Sequence, residues 1–211
     1  MQRHIALFDL DGVVFDTEPQ YTEFWGQQFR EFYPSLSGLE LAIKGMTLDQ
    51  IFDEYFCGMS GRQTLIKQRL DVFEQDMDYR YVPGFEAFIS KLRAMNVNTA
   101  VVTSSNLIKM SNVYRGHPEF LSYFDKVLTS EDFEYSKPHP DCYLKAAQWF
   151  GAEADECVGF EDSFNGLKSL VAARMKVVAL ATTNPVEAVA PYADKVIGNY
   201  LGIEPHDVFL G

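Results

Sequence analysis

The chain has 211 residues, enough for one large domain or a core with a smaller insert, and its 47% of hydrophobic residues excludes a disordered chain. A formal net charge of −12 without a basic run argues against nucleic acid and anionic membranes as partners. The three scattered cysteines (Cys57, Cys142 and Cys157) argue against a disulfide framework and a thiolate zinc site.

The first strand-like run begins within a few residues of the first methionine, so we expect no signal peptide. No apolar run approaches the roughly 20 residues that a membrane span needs. We therefore expect a cytoplasmic protein. We also expect a monomer or a weak homo-oligomer.

Four short apolar runs predict buried parallel strands, at residues 5–8, 99–102, 157–160 and 177–181. Helix-like stretches lie between them, at residues 85–94, 141–150 and 163–173. This alternation predicts an α/β fold with a doubly wound, Rossmann-like parallel sheet. Ligands of such sheets bind beyond the carboxyl ends of the strands, so the residues that follow each run are the candidates for a site.

One long stretch interrupts the alternation. Residues 17–81 contain no strand-like run, and their aromatic side chains, including Phe24, Trp25 and Phe29, recur at helical spacing. We predict a helical cap domain over 17–81, inserted after the first strand into a core formed by 1–16 and 82–211. Its aromatic rings are expected to pack internally rather than to contact a ligand.

Two acids follow the first strand-like run. Asp9 and Asp11 are two positions apart on an extended chain, so both carboxylates address one site, and Gly12 allows a sharp turn. Two such carboxylates repel each other unless a cation or a shared proton intervenes. The alternative interpretation is an ordinary turn at the end of a strand, since Asp and Gly favour turns.

Polar residues also follow the run at 99–102, and a lysine lies in a later loop. Thr103 and Ser104 end the second run and can hold phosphate oxygens, although such residues also cap helices. Lys137 lies in a loop stiffened by Pro138 and Pro140, where a lysine is either solvated or available to offset the charge of a phosphoryl group.

The run at 157–160 is followed by Glu161 and Asp162. Acids at the start of a helix interact favourably with the helix dipole, so the two acids could serve only to stabilise the helix that follows. Carboxylates at a strand end are also the ligands that Mg²⁺ requires. A bound cation would explain how so acidic a chain could hold a phosphate.

These four groups of residues occur in one order after strands of one sheet, and together they resemble the four motifs of the haloacid dehalogenase superfamily. The helical insert is similar to the small cap of the subfamily that contains β-phosphoglucomutase and phosphoglycolate phosphatase-like enzymes. At the position of Arg174 that family commonly has glycine, so we expect the preceding helix to end differently in this chain.

The resemblance implies a role for each matching residue. Asp9 would form an aspartyl-phosphate, and Asp11 would protonate the leaving oxygen and then activate water. Thr103, Ser104 and Lys137 would hold the phosphoryl group. The Mg²⁺ ligands would be Asp162, Glu161, Asp9 and the main-chain carbonyl of Asp11. This implies a phosphatase acting on a small phosphorylated substrate.

Other activities of the family remain open at this point. A β-phosphoglucomutase-like enzyme would have a histidine and an arginine where this chain has Tyr21 and Leu48, which favours a phosphatase over a mutase. A dehalogenase lacks the second acid of the first motif, so Asp11 argues against it. The alternative of another class is a catalytically idle binding protein. The residues near Gly45 and Met46 are expected to shape the leaving-group pocket.

Overall fold

The computed structural model describes residues 4–44 and 46–209, and within them it has a six-stranded parallel sheet. The strands are β1 (Ile5–Phe8), β2 (Asn98–Val102), β3 (Lys126–Leu128), β4 (Cys157–Glu161), β5 (Lys176–Leu180) and β6 (Lys195–Ile197). Their order is β3-β2-β1-β4-β5-β6, so β1 lies between β2 and β4. The predicted parallel sheet is therefore confirmed. The runs that became β3 and β6 are only three residues long and were not predicted from the sequence.

Helices cover both faces of this sheet. The α-helices of the described chain, of which the first four belong to the insert, are α1 (Glu18–Phe32), α2 (Leu39–Ala42), α3 (Leu48–Tyr55), α4 (Ser60–Asp76), α5 (Phe85–Ala94), α6 (Leu107–Gly116), α7 (Asp141–Phe150), α8 (Phe164–Ala173), α9 (Val186–Val189) and α10 (His206–Phe209). Side chains of β1 alternate between two apolar clusters, because successive residues of a strand point to opposite faces. One cluster includes α5 and α6, and the other includes α7 and α8.

The stretch between β1 and α5 is helical, as predicted, and contains α1 to α4. It has an apolar cluster of its own, in which Phe24, Trp25, Phe29 and Phe56 are buried, so these aromatics pack internally. Each side chain of this kind stabilises the folded state by about 1.5–3 kcal/mol when it is buried. The insert thus holds itself together by the same hydrophobic effect as the sheet.

The chain leaves the sheet and returns to it at one place. Phe15 pairs with Tyr81 as an antiparallel bridge. The main-chain N–H of Asp16 donates to Arg80 O at 2.8 Å, and the N–H of Val82 donates to Val14 O at 2.9 Å. These hydrogen bonds pair the segment that leads into the insert, at 14–16, with the segment that leads out of it, at 80–82.

Helix α8 ends at Arg174, which adopts the left-handed conformation with φ of 60°. Its N–H donates to the carbonyls of Leu170 and Val171. The helix therefore ends as it would with glycine, and the expectation of a different ending was wrong. The ending depends on the backbone bonds, although a side chain at positive φ costs about 1 kcal/mol or more. In the part of the chain that is described, no helix has both the length and the apolarity to cross a bilayer.

Candidate active site

The residues predicted for the site meet at the carboxyl edge of the sheet. Because β1 is flanked by β2 and β4, the residues that follow these three strands are neighbours. They border a cleft of about 540 Å³ that lies between this edge and the helical insert. The predicted residues that line it are Asp9, Asp11, Thr103, Ser104, Lys137 and Asp162. Glu161, the seventh, lies beneath the cleft and is fully buried.

Lys137 connects two of these carboxylates. Its Nζ donates to Asp9 Oδ1 at 2.6 Å, to Glu161 Oε1 at 2.7 Å and to Val102 O at 3.0 Å. Burial lowers the pKa of the Lys137 ammonium, but the charges of Asp9 and Glu161 outweigh burial and hold the pKa well above its usual value. Lys137 is therefore a fixed positive charge in the lining of the cleft.

Both oxygens of the Glu161 carboxylate accept hydrogen bonds. Oε1 accepts hydrogen bonds from Lys137 and from the Tyr143 hydroxyl at 2.8 Å. Oε2 accepts from the N–H of Asp162 at 3.1 Å, and from the N–H and hydroxyl of Ser163. A Cβ at Gly166 would overlap this carboxylate, so glycine is required for α8 to approach it. These contacts hold Glu161 in place and leave it few lone pairs for a metal.

Three carboxylates lie close enough together to hold a metal ion. Asp9, Glu161 and Asp162 each offer an oxygen, and these oxygens lie within 4.8 Å of one another. Burial raises the pKa of Asp9 to about 7 against the opposing effect of Lys137, with Glu161 and Asp11 raising it further. Burial, with the charges of Glu161, Glu18 and Asp9, also raises the pKa of Asp162 well above its usual value. The site thus carries more negative charge than Lys137 can offset, and a divalent cation fits this need.

The second acid after β1 has different partners. Asp11 Oδ1 accepts from the Thr17 hydroxyl at 2.7 Å, and Oδ2 accepts from Lys109 Nζ at 2.5 Å and from the Ser105 hydroxyl at 3.2 Å. Gly12 adopts φ of 73°, and a Cβ there would overlap the Asp162 carboxylate. The turn after Asp11 therefore requires glycine twice, for its conformation and for its closeness to Asp162.

Lys109 was not predicted from the sequence. It lies on α6 and is buried, with its Nζ 4.8 Å from the centre of the Tyr21 ring. The available signal was that Lys109 shares a helix face with the apolar Met110 and Val113, which is unusual for a lysine. Thr183 was also missed, and its hydroxyl donates to Asp162 Oδ2.

Thr103 and Ser104 differ in their exposure. Thr103 is buried, and its hydroxyl oxygen accepts from the N–H of Ser105 at 3.0 Å, while Ser104 is exposed at the cleft. Asn106, two positions further, caps α6 by accepting from the N–H of Lys109 at 2.9 Å. The capping role considered for this segment therefore belongs to Asn106, and it leaves Thr103 and Ser104 at the cleft.

The helical insert forms the opposite wall. Glu18, Tyr21 and Glu74 line it, and the Tyr21 hydroxyl donates to Glu74 Oε1 at 2.7 Å. Further contacts join the insert to the sheet edge: Lys44 Nζ donates to Thr183 O at 3.4 Å, and Asn165 Nδ2 donates to Gln50 Oε1 at 3.2 Å. Met46 lines the cleft as expected, and Gly45 lies outside the described residues.

The chain is similar to known proteins over most of its length. Residues 4–174 match the family model described as haloacid dehalogenase-like hydrolase. The chain is 28% identical to the protein of Drosophila melanogaster named probable pseudouridine-5'-phosphatase, over 97% of this chain and 93% of that protein. It is 25% identical to hexitol phosphatase B of Escherichia coli, over 83% of this chain and 82% of that protein. A crystal structure of a HAD hydrolase of family IA from Entamoeba histolytica has the same fold, with a TM-score of 0.85 and 19% identity, over 99% of this chain and 100% of that one.

Proposed function

Because the chain belongs to the haloacid dehalogenase-like hydrolases, we propose that it is a Mg²⁺-dependent phosphatase that hydrolyses a small phosphorylated metabolite through an aspartyl-phosphate on Asp9. One observation carries the proposal. Lys137 holds one oxygen of Asp9 at 2.6 Å, and Asp11 and Asp162 line the same cleft as Asp9. A fixed carboxylate nucleophile, a second carboxylate for proton transfer and balancing positive charge are the parts that phosphoryl transfer needs.

The proposed reaction has two steps, which are formation and hydrolysis of the aspartyl-phosphate. An oxygen of Asp9 attacks phosphorus, the bond from phosphorus to the leaving oxygen breaks, and Asp11 gives its proton to that oxygen. Water then attacks phosphorus, Asp11 takes a proton from the water, and the bond from phosphorus to Asp9 breaks. Inorganic phosphate and the free alcohol are the products, and Asp11 ends as it began.

The phosphoryl oxygens are proposed to bind Lys137, Thr103 and Ser104, which line the cleft beside Asp9. Lys137 remains charged at all working pH values, since the pKa of its ammonium is held well above the usual value by Asp9 and Glu161. Its charge therefore offsets the repulsion between the Asp9 carboxylate and a phosphate dianion.

Asp9, Asp162 and the main-chain carbonyl of Asp11 are the proposed ligands of Mg²⁺. When bound, Mg²⁺ neutralises charge on the phosphoryl oxygens and on the carboxylates. The five donors around Glu161 support a different role for this residue from the one implied by the resemblance. Glu161 is proposed to position Lys137 and the backbone at Asp162, and not to bind the metal directly.

Residues 17–81 are proposed to act as a cap domain that selects the substrate. Tyr21 and Leu48 line the cleft where a mutase of this family has a histidine and an arginine, and the described lining residues include no arginine. The absence of a bidentate ligand for a second phosphate favours hydrolysis over mutase chemistry. The names of the fly and bacterial relatives, both phosphatases, support the same choice.

The test is phosphate release from a panel of phosphomonoesters with Mg²⁺ and with EDTA. We expect release that requires the metal and that is lost in Asp9→Asn, whose side chain is nearly isosteric. Asp53→Asn, an exposed position on α3, is the matched control and should keep full activity. Release by Asp9→Asn at the wild-type rate would refute the nucleophile. Conversion of β-glucose 1-phosphate to glucose 6-phosphate without phosphate release would refute hydrolysis in favour of a mutase.

A further inference from the structure

The wall of the cleft opposite Asp9 carries an excess of negative charge. Among the described lining residues eight are carboxylates and four are lysines, and none is an arginine or a histidine. The carboxylates of Asp9 and Asp162 belong to the proposed metal site. The insert contributes five further acids to the lining of the cleft, and they are Glu18, Glu40, Asp49, Asp71 and Glu74.

The lysines of the cleft already have partners. Lys137 is bound to Asp9 and Glu161, and Lys109 is bound to Asp11. Lys44 donates to a main-chain carbonyl at Thr183. Lys67 Nζ lies 5.8 Å from the centre of the Phe52 ring, within the range of a cation–π contact. These partners reduce the positive charge that the lysines offer to a second anionic group on a substrate.

Two of the acids are placed to accept hydrogen bonds from a ligand. The Glu18 carboxylate lies near Asp11, Lys44 and Lys109, but it accepts no hydrogen bond from residues 4–44 or 46–209. Glu74 accepts one, from the Tyr21 hydroxyl at Oε1, so its other oxygen has capacity to spare. The partly buried ring of Tyr21 adds aromatic surface to the same wall. Carboxylates that accept from hydroxyls, beside an aromatic face that covers C–H groups, suit a polyhydroxylated ligand.

We propose that the cleft selects phosphomonoesters whose leaving group is uncharged and rich in hydroxyls, and that Glu18 and Glu74 determine this specificity. The inference rests on the proposed phosphatase function and narrows its substrate class. A carboxylate or a second phosphate on the leaving group would lie against the acids of the insert and would be repelled. The hydroxyls of a polyol or a sugar would instead donate to them.

Matched substrates separate this inference from the function on which it rests. Sorbitol 6-phosphate and 6-phosphogluconate differ only at the far end, where a CH₂OH group replaces a carboxylate. 2-Hydroxyethyl phosphate and phosphoglycolate differ in the same way, and phosphoethanolamine supplies a cationic group of similar size. We expect kcat/KM at saturating Mg²⁺ to be at least about tenfold higher for the hydroxyl member of each pair, as repulsion by a few close charges predicts.

The variants Glu18→Gln and Glu74→Gln remove one negative charge each and keep the shape of the side chain. We expect each to reduce the ratio of kcat/KM between sorbitol 6-phosphate and 6-phosphogluconate at least threefold. Glu23→Gln is the control, because Glu23 is on the same helix as Glu18 but is exposed and outside the cleft. It should leave the ratio unchanged.

The outcomes are distinct. If the wild-type protein releases no phosphate from p-nitrophenyl phosphate or from any member of the panel, the proposed phosphatase function fails and the inference fails with it. If it hydrolyses p-nitrophenyl phosphate but prefers the anionic or the cationic substrates, only the inference fails. Wild-type ratios in both Glu→Gln variants would overturn the assignment of Glu18 and Glu74.

Discussion

Lys137 Nζ lies 2.6 Å from Asp9 Oδ1 and 2.7 Å from Glu161 Oε1, although Lys137 and Asp9 are 128 positions apart in the chain. The side chains of Lys137 and Glu161 are almost completely buried. An ion pair in such surroundings depends on both partners, because each charge has lost its hydration. Lys137 and Asp9, which are proposed to hold and to attack the phosphoryl group, and Glu161, which is proposed to position Lys137, therefore also bear on stability.

We predict that Lys137→Met lowers the free energy of unfolding by roughly 3 kcal/mol, because it leaves Glu161 buried without its cation. Lys145→Met is the matched control, since Lys145 forms a partly exposed pair with Asp141 and its loss should cost less than about 1 kcal/mol. Urea denaturation without metal measures both. Equal losses in the two variants would show that the buried pair contributes no more than the exposed one.

Metal binding is predicted to depend on Asp162. Mg²⁺ at about 100 times its Kd should raise the Tm of the wild-type protein by roughly 5–10 °C. Asp162→Asn should abolish most of this rise, because the variant loses a carboxylate of the cluster with Asp9. Asp155→Asn, at an exposed position before β4, should keep it. A full Mg²⁺ shift in Asp162→Asn, read by thermal unfolding, would contradict the proposed ligand set.

Asp11→Asn is predicted to separate the two chemical steps. p-Nitrophenolate leaves without protonation, so formation of the aspartyl-phosphate should persist, while its hydrolysis loses the base and slows by about 10²–10⁴-fold. Stopped-flow measurement should show a burst of p-nitrophenolate near one equivalent of enzyme. Asp9→Asn should show no burst, and the absence of a burst in both variants would argue against the role of Asp11.

Glu74 should make stability depend on pH. Burial raises the pKa of its carboxyl above the usual 4.5, against the opposing effects of Lys109 and Tyr21. Above pH 4.5 the folded state therefore holds this proton when the unfolded state has released it, and stability decreases as pH rises through the folded pKa. Glu74→Gln should show a smaller decrease in urea-denaturation stability as the pH rises above 4.5. An identical pH dependence in both proteins would exclude this linkage.

Arg174→Gly is predicted to stabilise the protein by about 1 kcal/mol. Arg174 has φ of 60° and is exposed, so glycine would relieve the strain of the left-handed conformation without removing a buried contact. The gain is reduced by the greater freedom of glycine in the unfolded chain. A lower Tm in this variant would show that the arginine side chain contributes more than its conformation costs.

Much of the site could be predicted because parallel strands bring their carboxyl ends to one edge. Asp9, Thr103 and Asp162 lie together for this reason, whatever their separation in sequence. The roles assigned to them remain predictions. Lys109 could not be predicted in the same way, because it lies within α6 and reaches Asp11 only through the packing of that helix.

The hydrogen-bond donors around Glu161 could not be predicted from the sequence either. An acid that follows a strand suggests a metal ligand, but Tyr143 reaches Glu161 from α7, a helix 18 positions earlier in the chain. Whether a carboxylate is free for a cation depends on how many donors the fold brings to it. That number follows from three-dimensional packing and not from the local pattern.

The bridge between Phe15 and Tyr81 determines which changes to the helical insert the sheet can tolerate. The chain leaves the sheet and rejoins it at neighbouring backbone positions, so a change in the length of the intervening 65 residues does not require β1 or α5 to move. The entropy cost of closing such a loop grows only slowly with its length. Insertions, deletions or exchange of the helices can therefore alter what enters the cleft while the edge of the sheet keeps its geometry.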